Sequence, residues 1–515
     1  MPLPWMAALK QPNGEPFMAA SLSRYGYLPN EDSQPPGLPV GFTVSNGRGG
    51  QAIGMTCAAC HTRQIDVAGT SYRIDGGPAI VDFQSFLTDL DRAVNTVRTN
   101  QPAFLDFAHS VLGPSPSPAK VARLRKDVSA WHLPFHTLVK RALPREPWGV
   151  ARLDAVAMIF NRLTGLDIGP PPTYMIPENI KPATAPVRYP FIWNAAIQDK
   201  TQWPGFADNG SSILGLARNL GEVYGVFAVF HPEKESWRVL GIDYLANNSA
   251  NFHGLSALED LIRKLGPPKW PWAVDQALAS QGKTIFERST AAGGCAGCHG
   301  IKPGPTRFPD NKTWATPLDD VGTDSREYDI LGWTVQTGVL KGAKIPFVTE
   351  PLKPIDTAFN VLRVSVIGSI IQHYVPVALT PEANKSMVQL ARSPFTADTE
   401  ALRGAFNAPT VPSFPYESRV LEGIWAAAPY LHNGSVPTLV ELLKPASERV
   451  EAFEVGPAYD PVTVGLAAEQ TRFDYTLKTT DCSNRNSGNS RCGHEFGTTL
   501  APDEKRALLE YLKIL

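Results

Sequence analysis

A five-residue pattern that occurs twice constrains this chain more than any other feature. Cys57-Ala-Ala-Cys60-His61 and Cys295-Ala-Gly-Cys298-His299 are both CxxCH. At this spacing two thiols bond covalently to the vinyl groups of a haem while the adjacent imidazole ligates its iron. A chain carrying such a group must close around a flat, largely apolar plate, so each motif calls for its own enclosing unit. Two other readings of CxxC compete. A redox-active dithiol of thioredoxin type sits at a strand-to-helix turn and does not need the following histidine. A zinc site needs a fourth donor and usually a second CxxC close by. Neither accounts for two complete copies in a chain with 6 cysteines, so two covalent haem c groups are expected.

The remaining pair, Cys482 and Cys492, lies in a polar stretch rich in Asn, Ser and Gly over 479–494 that has no apolar period and reads as a loop. A disulfide there would restrain the loop and imply an oxidising compartment, against the alternative of two free thiols. Haem c attachment is associated with that same side of the cytoplasmic membrane, so a periplasmic or secreted location follows. The N-terminus lacks the basic-then-apolar pattern of a secretory signal, so either export is unnecessary or the leader is absent from this sequence. No run of about 18 apolar residues occurs, and no membrane span is expected.

His61 and His299 are separated by far more chain than one compact haem-binding unit requires, and 515 residues exceed one ordinary domain. Residues 275–288 place Leu278, Ile285 and Phe286 on one helical face just before the second motif, which is how a small cytochrome c begins. Upstream, Gly-Pro-Pro-Lys-Trp-Pro-Trp at 266–272 cannot be helical, because each proline removes a donor and restricts its predecessor. The boundary therefore divides an N-terminal cytochrome c-like domain with large insertions, 1–272, from a C-terminal cytochrome c-like domain, 273–515. Apolar recurrence predicts helices near 81–99, 119–142 and 149–164, separated by proline-rich turns at 113–118 and 169–172. The expected fold is mainly α, two cytochrome c-like haem domains with long ordered loops and few short strands. With 48 Lys+Arg against 49 Asp+Glu, no global field would recruit nucleic acid or an anionic membrane.

Beyond the haem motifs, Pro429-Tyr430-Leu431-His432-Asn433-Gly434-Ser435-Val436-Pro437-Thr438-Leu439 resembles the PYxHxGxxxTL segment of the bacterial di-haem cytochrome c peroxidase superfamily. Arg-Ile-Asp-Gly-Gly-Pro-Ala at 73–79, Tyr-Pro-Phe-Ile-Trp-Asn at 189–194 and Gly-His-Glu-Phe-Gly at 493–497 look like the branch that holds the di-haem rubber oxygenase and fatty-acid dioxygenase-like enzymes. The resemblance spans nearly the whole chain. It implies that His61 and His299 are proximal ligands, one to each haem. Classical members place a Met or Tyr after the PYxHxG segment as sixth ligand of the second haem, but the Met residues here are 1, 6, 18, 55, 158, 175 and 387. None follows His432. The resemblance instead offers His494, completing a bis-His second haem. A Cys482–Cys492 disulfide closing two residues earlier would hold that loop rigid, and the competing reading is a surface histidine. His432 is implied to lie near the second haem without bonding it. Trp193 is a candidate aromatic relay between the haems, against simple core packing. His109, His132, His136, His231, His253 and His373 remain unassigned. His132 and His136 share a helix face at i, i+4 and could bind a metal, although Pro134 between them argues against a regular helix.

Two haems in one chain imply division of labour, a saturated one passing electrons and an open one meeting the oxidant. The expectation is a di-haem oxidoreductase that activates O2 or hydrogen peroxide at the His61 haem and exchanges electrons with a redox-partner protein. Oxygenation of an unsaturated hydrophobic substrate ranks ahead of peroxide reduction, which wants a distal acid or histidine that the sequence does not identify. A non-catalytic electron carrier with both irons six-coordinate is the alternative from another class. Calcium between the domains, as in the peroxidases, is compatible with the resemblance, but no acidic-loop pattern accompanies it.

Overall fold

Phe83, Phe86, Leu87, Leu90, Ala93, Val94 and Val97 fall on one face at helical spacing, and they are the buried residues of the helix Phe83–Thr99. Asp82 caps it by accepting from the Ser85 amide at 2.9 Å. This helix packs on a longer one, Pro118–Ala142, which starts with proline at its first turn behind the N-cap Ser117. The computed structural model describes residues 1–47, 50–236, 238, 240–308, 310–346, 348–374 and 413–515, and Met387 lies outside them.

The long helix corrects one expectation. It runs through Pro134 without interruption. A mid-helix proline forfeits one backbone hydrogen bond and crowds the preceding turn, but Leu124, Val128, His132, Phe135, Leu138 and Ala142 keep a continuous buried face on both sides of it. The third expected helix begins later than 149, at Ala155. Asp154 caps it there, and Arg152–Leu153 just upstream pairs with Val187–Arg188 as a short ladder.

The secondary structure is mixed, about 39% helix and 16% strand, rather than mainly α. The first CxxCH accounts for part of the difference. It sits on a single 3-10 turn, Cys57–Ala59, between two antiparallel hairpins, Phe42–Gly47 with Gly50–Met55 and Thr62–Val67 with Thr70–Asp75. Elsewhere the long Gly- and Pro-rich connections pair with one another. Among the described residues all the ladders are two-stranded and antiparallel, and most span only two or three residues.

Among the described residues two large apolar cores form beside a small cluster of Val187, Trp203 and Tyr416, and both large ones draw on distant parts of the chain. The first joins the N-terminal helices to Phe359, Val361, Leu362, Val366 and Ile370 of the helix Ala358–Tyr374, which lies against Ser212–Gly225. The second is built on Gln276–Phe286 crossed by the C-terminal helix Pro502–Ile514, together with Trp425–Ala428, Tyr430 and Leu439. Ile65, Ile74, Phe191 and Trp193 also enter it. Residues 266–272 are not helical, and Trp270 and Trp272 pack on Trp425 and Tyr459. Among the described residues no helix is long and apolar enough to cross a membrane.

Candidate functional site

The helix Gln276–Phe286, capped by Asp275, aims the chain at the second CxxCH. The Phe286 carbonyl accepts from the Cys295 amide at 2.9 Å, and one short helical turn, Ala296–His299, presents the imidazole. His299 donates its Nδ1 hydrogen to the Arg419 carbonyl at 2.8 Å. That bond assigns the tautomer and leaves Nε2 with a free lone pair. Facing it is His494, with ring centroids 6.1 Å apart and planes tilted by 46°. Two imidazoles that share one metal at about 2.0–2.1 Å each stand at about this separation. Burial pushes both rings below the usual imidazole range, His494 to about 3 with the nearby His299 adding to the effect, so both are neutral lone-pair donors.

Both rings line a cavity of about 170 Å³. Cys295 and Cys298 form part of its wall, and Leu431, Leu439, Leu442, Leu443, Leu508 and Leu512 supply apolar lining. His494 Nδ1 is buried without a hydrogen-bond partner, a polar atom whose desolvation the protein alone leaves uncompensated. A flat apolar group carrying a metal between His299 and His494, attached through the two cysteines, fits this donor set.

The loop that offers His494 is held from three sides. Cys482 and Cys492 form a disulfide with Cα atoms 5.5 Å apart. Gly493 adopts φ +77° with the backbone of Val321, Gly322 and Thr323 directly against its α-carbon. The buried Arg449 gathers the carbonyls of Arg491, Gly493 and His494 at 2.6, 2.8 and 3.1 Å. His432 also lines the cavity, its ring stacked on Tyr416 with centroids 3.7 Å apart and its Nε2 2.7 Å from Asp324. Trp193 does not line it. It is fully buried behind Phe191, stacked at 4.6 Å, and donates to the Glu422 carbonyl at 2.7 Å.

At the first motif, Gly41 lets the preceding strand close on the backbone of Ala58 and Ala59, where any side chain would collide. His61 donates its Nδ1 hydrogen to the Pro190 carbonyl at 2.8 Å, and burial holds its pKa down at about 4. Tyr189 meets its ring edge-on. Among the described residues no second imidazole stands opposite His61 as His494 stands opposite His299. The unassigned histidines lie elsewhere: His109 exposed on the helix Gln101–Leu112, His132 and His136 at Asp91, His231 stacked on Tyr174, and His373 stacked on Phe252 and meeting His253 edge-on. A smaller cavity is lined by Val156, Ile159, Phe160, Phe206, Arg218 and Glu222, and the charges of Arg218 and Glu222 on its wall reach Cys57. Burial raises the Cys57 thiol to about 11, with the Glu222 charge contributing.

All four motif thiols are pushed up by burial, Cys60 to about 12 and Cys295 to about 11. A dithiol reagent needs the opposite, a lowered pKa and a ready thiolate, so the redox-dithiol reading loses ground. Among the described residues no histidine or carboxylate joins either cysteine pair as a zinc set.

The two motif histidines are also joined to each other. The Pro190 carbonyl accepts from His61. The next carbonyl, that of Phe191, accepts from Arg419 Nη1 at 2.6 Å, and the Arg419 carbonyl accepts from His299. The Arg419 guanidinium lies 3.9 Å from the Phe191 ring centroid. Arg419, Arg449 and Tyr416 escaped the sequence reading, since a buried arginine or tyrosine has no spacing that sets it apart from an exposed one.

The family described as RoxA-like, cytochrome c-like matches residues 415–454, the stretch that runs from Tyr416 and Arg419 through His432 to Arg449. The uncharacterized protein y4iJ of Sinorhizobium fredii (strain NBRC 101917 / NGR234) is 30% identical over 576 residues, covering 100% of this chain and 89% of its own. The uncharacterized protein y4iM of the same strain is 28% identical over 349 residues, 63% of each chain.

Proposed function

This chain belongs to the same family as protein y4iJ and carries a RoxA-like cytochrome c-like domain, and from that premise we propose that it is an extracytoplasmic di-haem c-type oxidoreductase. The units 1–272 and 273–515 each hold one haem, the first through Cys57, Cys60 and His61, the second through Cys295, Cys298, His299 and His494. Haem c supplies one-electron exchange and, where an iron position is open, binding of O2 or peroxide. The observation that carries the reading is the asymmetry of the two histidines. His299 is faced by a second neutral imidazole, whereas among the described residues His61 is not. Electron transfer therefore belongs to the His299–His494 site, and oxidant activation to the His61 site.

The chain's own groups divide the work. The Pro190 and Arg419 carbonyls orient His61 and His299 and raise their basicity as ligands. The Phe191–Arg419 contact gives a short bonded route between the two sites, with Trp193 stacked behind it. His432, braced by Tyr416 and Asp324, shapes the wall of the second site. Val156, Ile159, Phe160 and Phe206 line an apolar cavity whose Arg218 also acts electrostatically on His61 and Cys57, which supports oxygenation of an unsaturated hydrophobic substrate there. A second reading, reduction of hydrogen peroxide, is favoured by Glu222. Burial raises the pKa of this carboxyl, against a bond donated by Gln202 at 2.8 Å that favours its charged form, and its charge reaches Cys57, so it is the candidate proton donor on that side. The disulfide fits an oxidising compartment.

The test is His494→Ala in the holoprotein, followed by paramagnetic resonance and cyanide binding. The expected result is conversion of one low-spin haem to high spin, with the other haem unchanged and already able to bind cyanide. Turnover of peroxide with a reduced cytochrome, set beside oxygen uptake with an unsaturated fatty acid or polyisoprene, separates the two enzymatic readings. Two low-spin haems inert to both reactions would leave an electron carrier.

A further inference from the structure

Away from both motifs, the two long N-terminal helices bring three ligating side chains together. Asp91 on Phe83–Thr99 faces His132 and His136 on Pro118–Ala142. His132 Nε2 lies 3.0 Å from one Asp91 oxygen and His136 Nδ1 lies 2.9 Å from the other. The two imidazoles stack with centroids 5.0 Å apart, as an i, i+4 pair should, and all the donor atoms fall within 4.8 Å of one another.

Hydrogen bonding explains only part of this arrangement. His136 makes a sound bond to the carboxylate. His132 is 2% exposed, and its Nε2 points at the carboxylate yet lies off the line of a hydrogen bond, leaving it a buried polar atom without a proper partner. A lone pair does not rest 3.0 Å from a carboxylate oxygen unless something positive lies between them, either a proton or a cation. An ion at about 2.0–2.1 Å from each of three donors holds them about 3.3 Å apart, so the two histidine–carboxylate spacings of 3.0 and 2.9 Å would open slightly and the two imidazole nitrogens, within 4.8 Å of each other, would draw together.

We infer that Asp91, His132 and His136 form a binding site for one borderline divalent cation of the Zn²⁺ type, separate from both haem motifs. Two imidazoles and one carboxylate suit zinc and its neighbours and not calcium, which takes six to eight oxygens. His136 is 41% exposed on its side chain, so a fourth position opens to water and the ion can enter without unfolding the core. Its consequence is a clamp between two helices of the first apolar core. Continuation of the helix through Pro134 keeps the histidine pair in register for it.

The experiment uses holoprotein stripped with a chelator and then dialysed against Zn²⁺, with metal counted by elemental analysis and affinity measured by calorimetry. Wild type is expected to retain one zinc per chain beyond its haem iron. Asp91→Asn and His136→Ala, both made at positions where the fold should survive, are expected to weaken binding by at least about 100-fold, since even an outer-shell partner is worth 10–100-fold. Haem absorption of each variant verifies that it has folded, and the second variant stands if the first does not. Absence of zinc from wild type would show that a proton bridges the three side chains and overturn the inference. Equal zinc in wild type and both variants would show adventitious binding and overturn it as well.

Discussion

Replacing Gly493 by alanine tests whether the backbone geometry of one residue holds His494 opposite His299. Gly493 sits at φ +77°, where a β-carbon costs about 1–2 kcal/mol. The added methyl would lie 2.7 Å from the Val321 carbonyl oxygen, and closer still to the Gly322 carbonyl carbon and the Thr323 amide. All three are backbone atoms, so no side chain can swing aside. Relief requires the loop to move away from 321–323, which also breaks the bond from the His494 amide to the Val321 carbonyl. Overpacking of this kind adds about 1–3 kcal/mol. The total, about 2–5 kcal/mol, shifts the balance between the seated and released loop by at least about 30-fold, given that 1.4 kcal/mol is tenfold. Low-temperature paramagnetic resonance of the oxidised holoprotein should show loss of low-spin signal from one haem, and the denaturant midpoint should fall. An unchanged spin state together with an unchanged midpoint would refute the idea that Gly493 positions His494.

Two further outcomes follow from the fold. At the crossing of Gln276–Phe286 with Pro502–Ile514, a β-carbon on Gly282 would lie 2.6 Å from the Ala507 carbonyl carbon and 2.8 Å from Tyr511 Cβ. Gly282→Ala should therefore lower stability by about 1–2 kcal/mol in denaturant titration, despite alanine's better helix propensity, and a raised midpoint would contradict the close crossing. Asp154 caps the helix Ala155–Arg162 from a buried position that raises its carboxyl pKa to about 7, against backbone bonds from Ala185 and Ala157 that act the other way. The folded chain thus keeps a proton that the unfolded chain has lost by about pH 5, so stability should fall as pH rises from the ordinary carboxyl range to about 7 and then level off. Asp154→Asn stays neutral throughout and should flatten that slope in urea midpoints taken at about pH 5 and about pH 8; an undiminished slope would assign it to other groups.

Much of the architecture was legible because it is local. Apolar period marks the helices that the structure places at 83–99, 118–142 and 276–286, and spacing marks both CxxCH motifs. The misreadings arose where a local rule met a longer-range one. Pro134 breaks a helix taken alone, yet a buried face running from Leu124 to Ala142 carries the helix past it. The hairpins around Cys57 alternate only across two apolar positions per strand, Phe42 and Val44, Ile65 and Val67, Tyr72 and Ile74, and the other ladders span two or three residues, too little to outweigh the helical periods that point to a mainly α chain. At the site, His494 and His432 could be picked out through the resemblance, because each sits in a distinctive string of residues. Arg419 and Arg449 could not, because their roles depend on which carbonyls they reach after folding.

Three of the four stretches that carry the resemblance, joined through Arg188 just outside them, form one hydrogen-bonded network. Gly76 accepts from the Ile192 amide, Pro190 from His61, and Leu431 from the Arg188 guanidinium. The 493–497 segment closes the opposite side of the cavity through His494. Within this network the two faces of the second site are secured differently. His299, like His61, is oriented by a main-chain carbonyl, an acceptor that substitution at Arg419 or Pro190 does not remove. His494 depends on a side chain, Arg449, and on a backbone conformation that only Gly493 adopts without strain. The placement of His61 and His299 is therefore robust to sequence change, while the imidazole opposite His299 can be lost through single substitutions. On the di-haem reading proposed above, an opened iron position at the second site would follow from substitution of Gly493, His494 or Arg449, with both CxxCH motifs left intact.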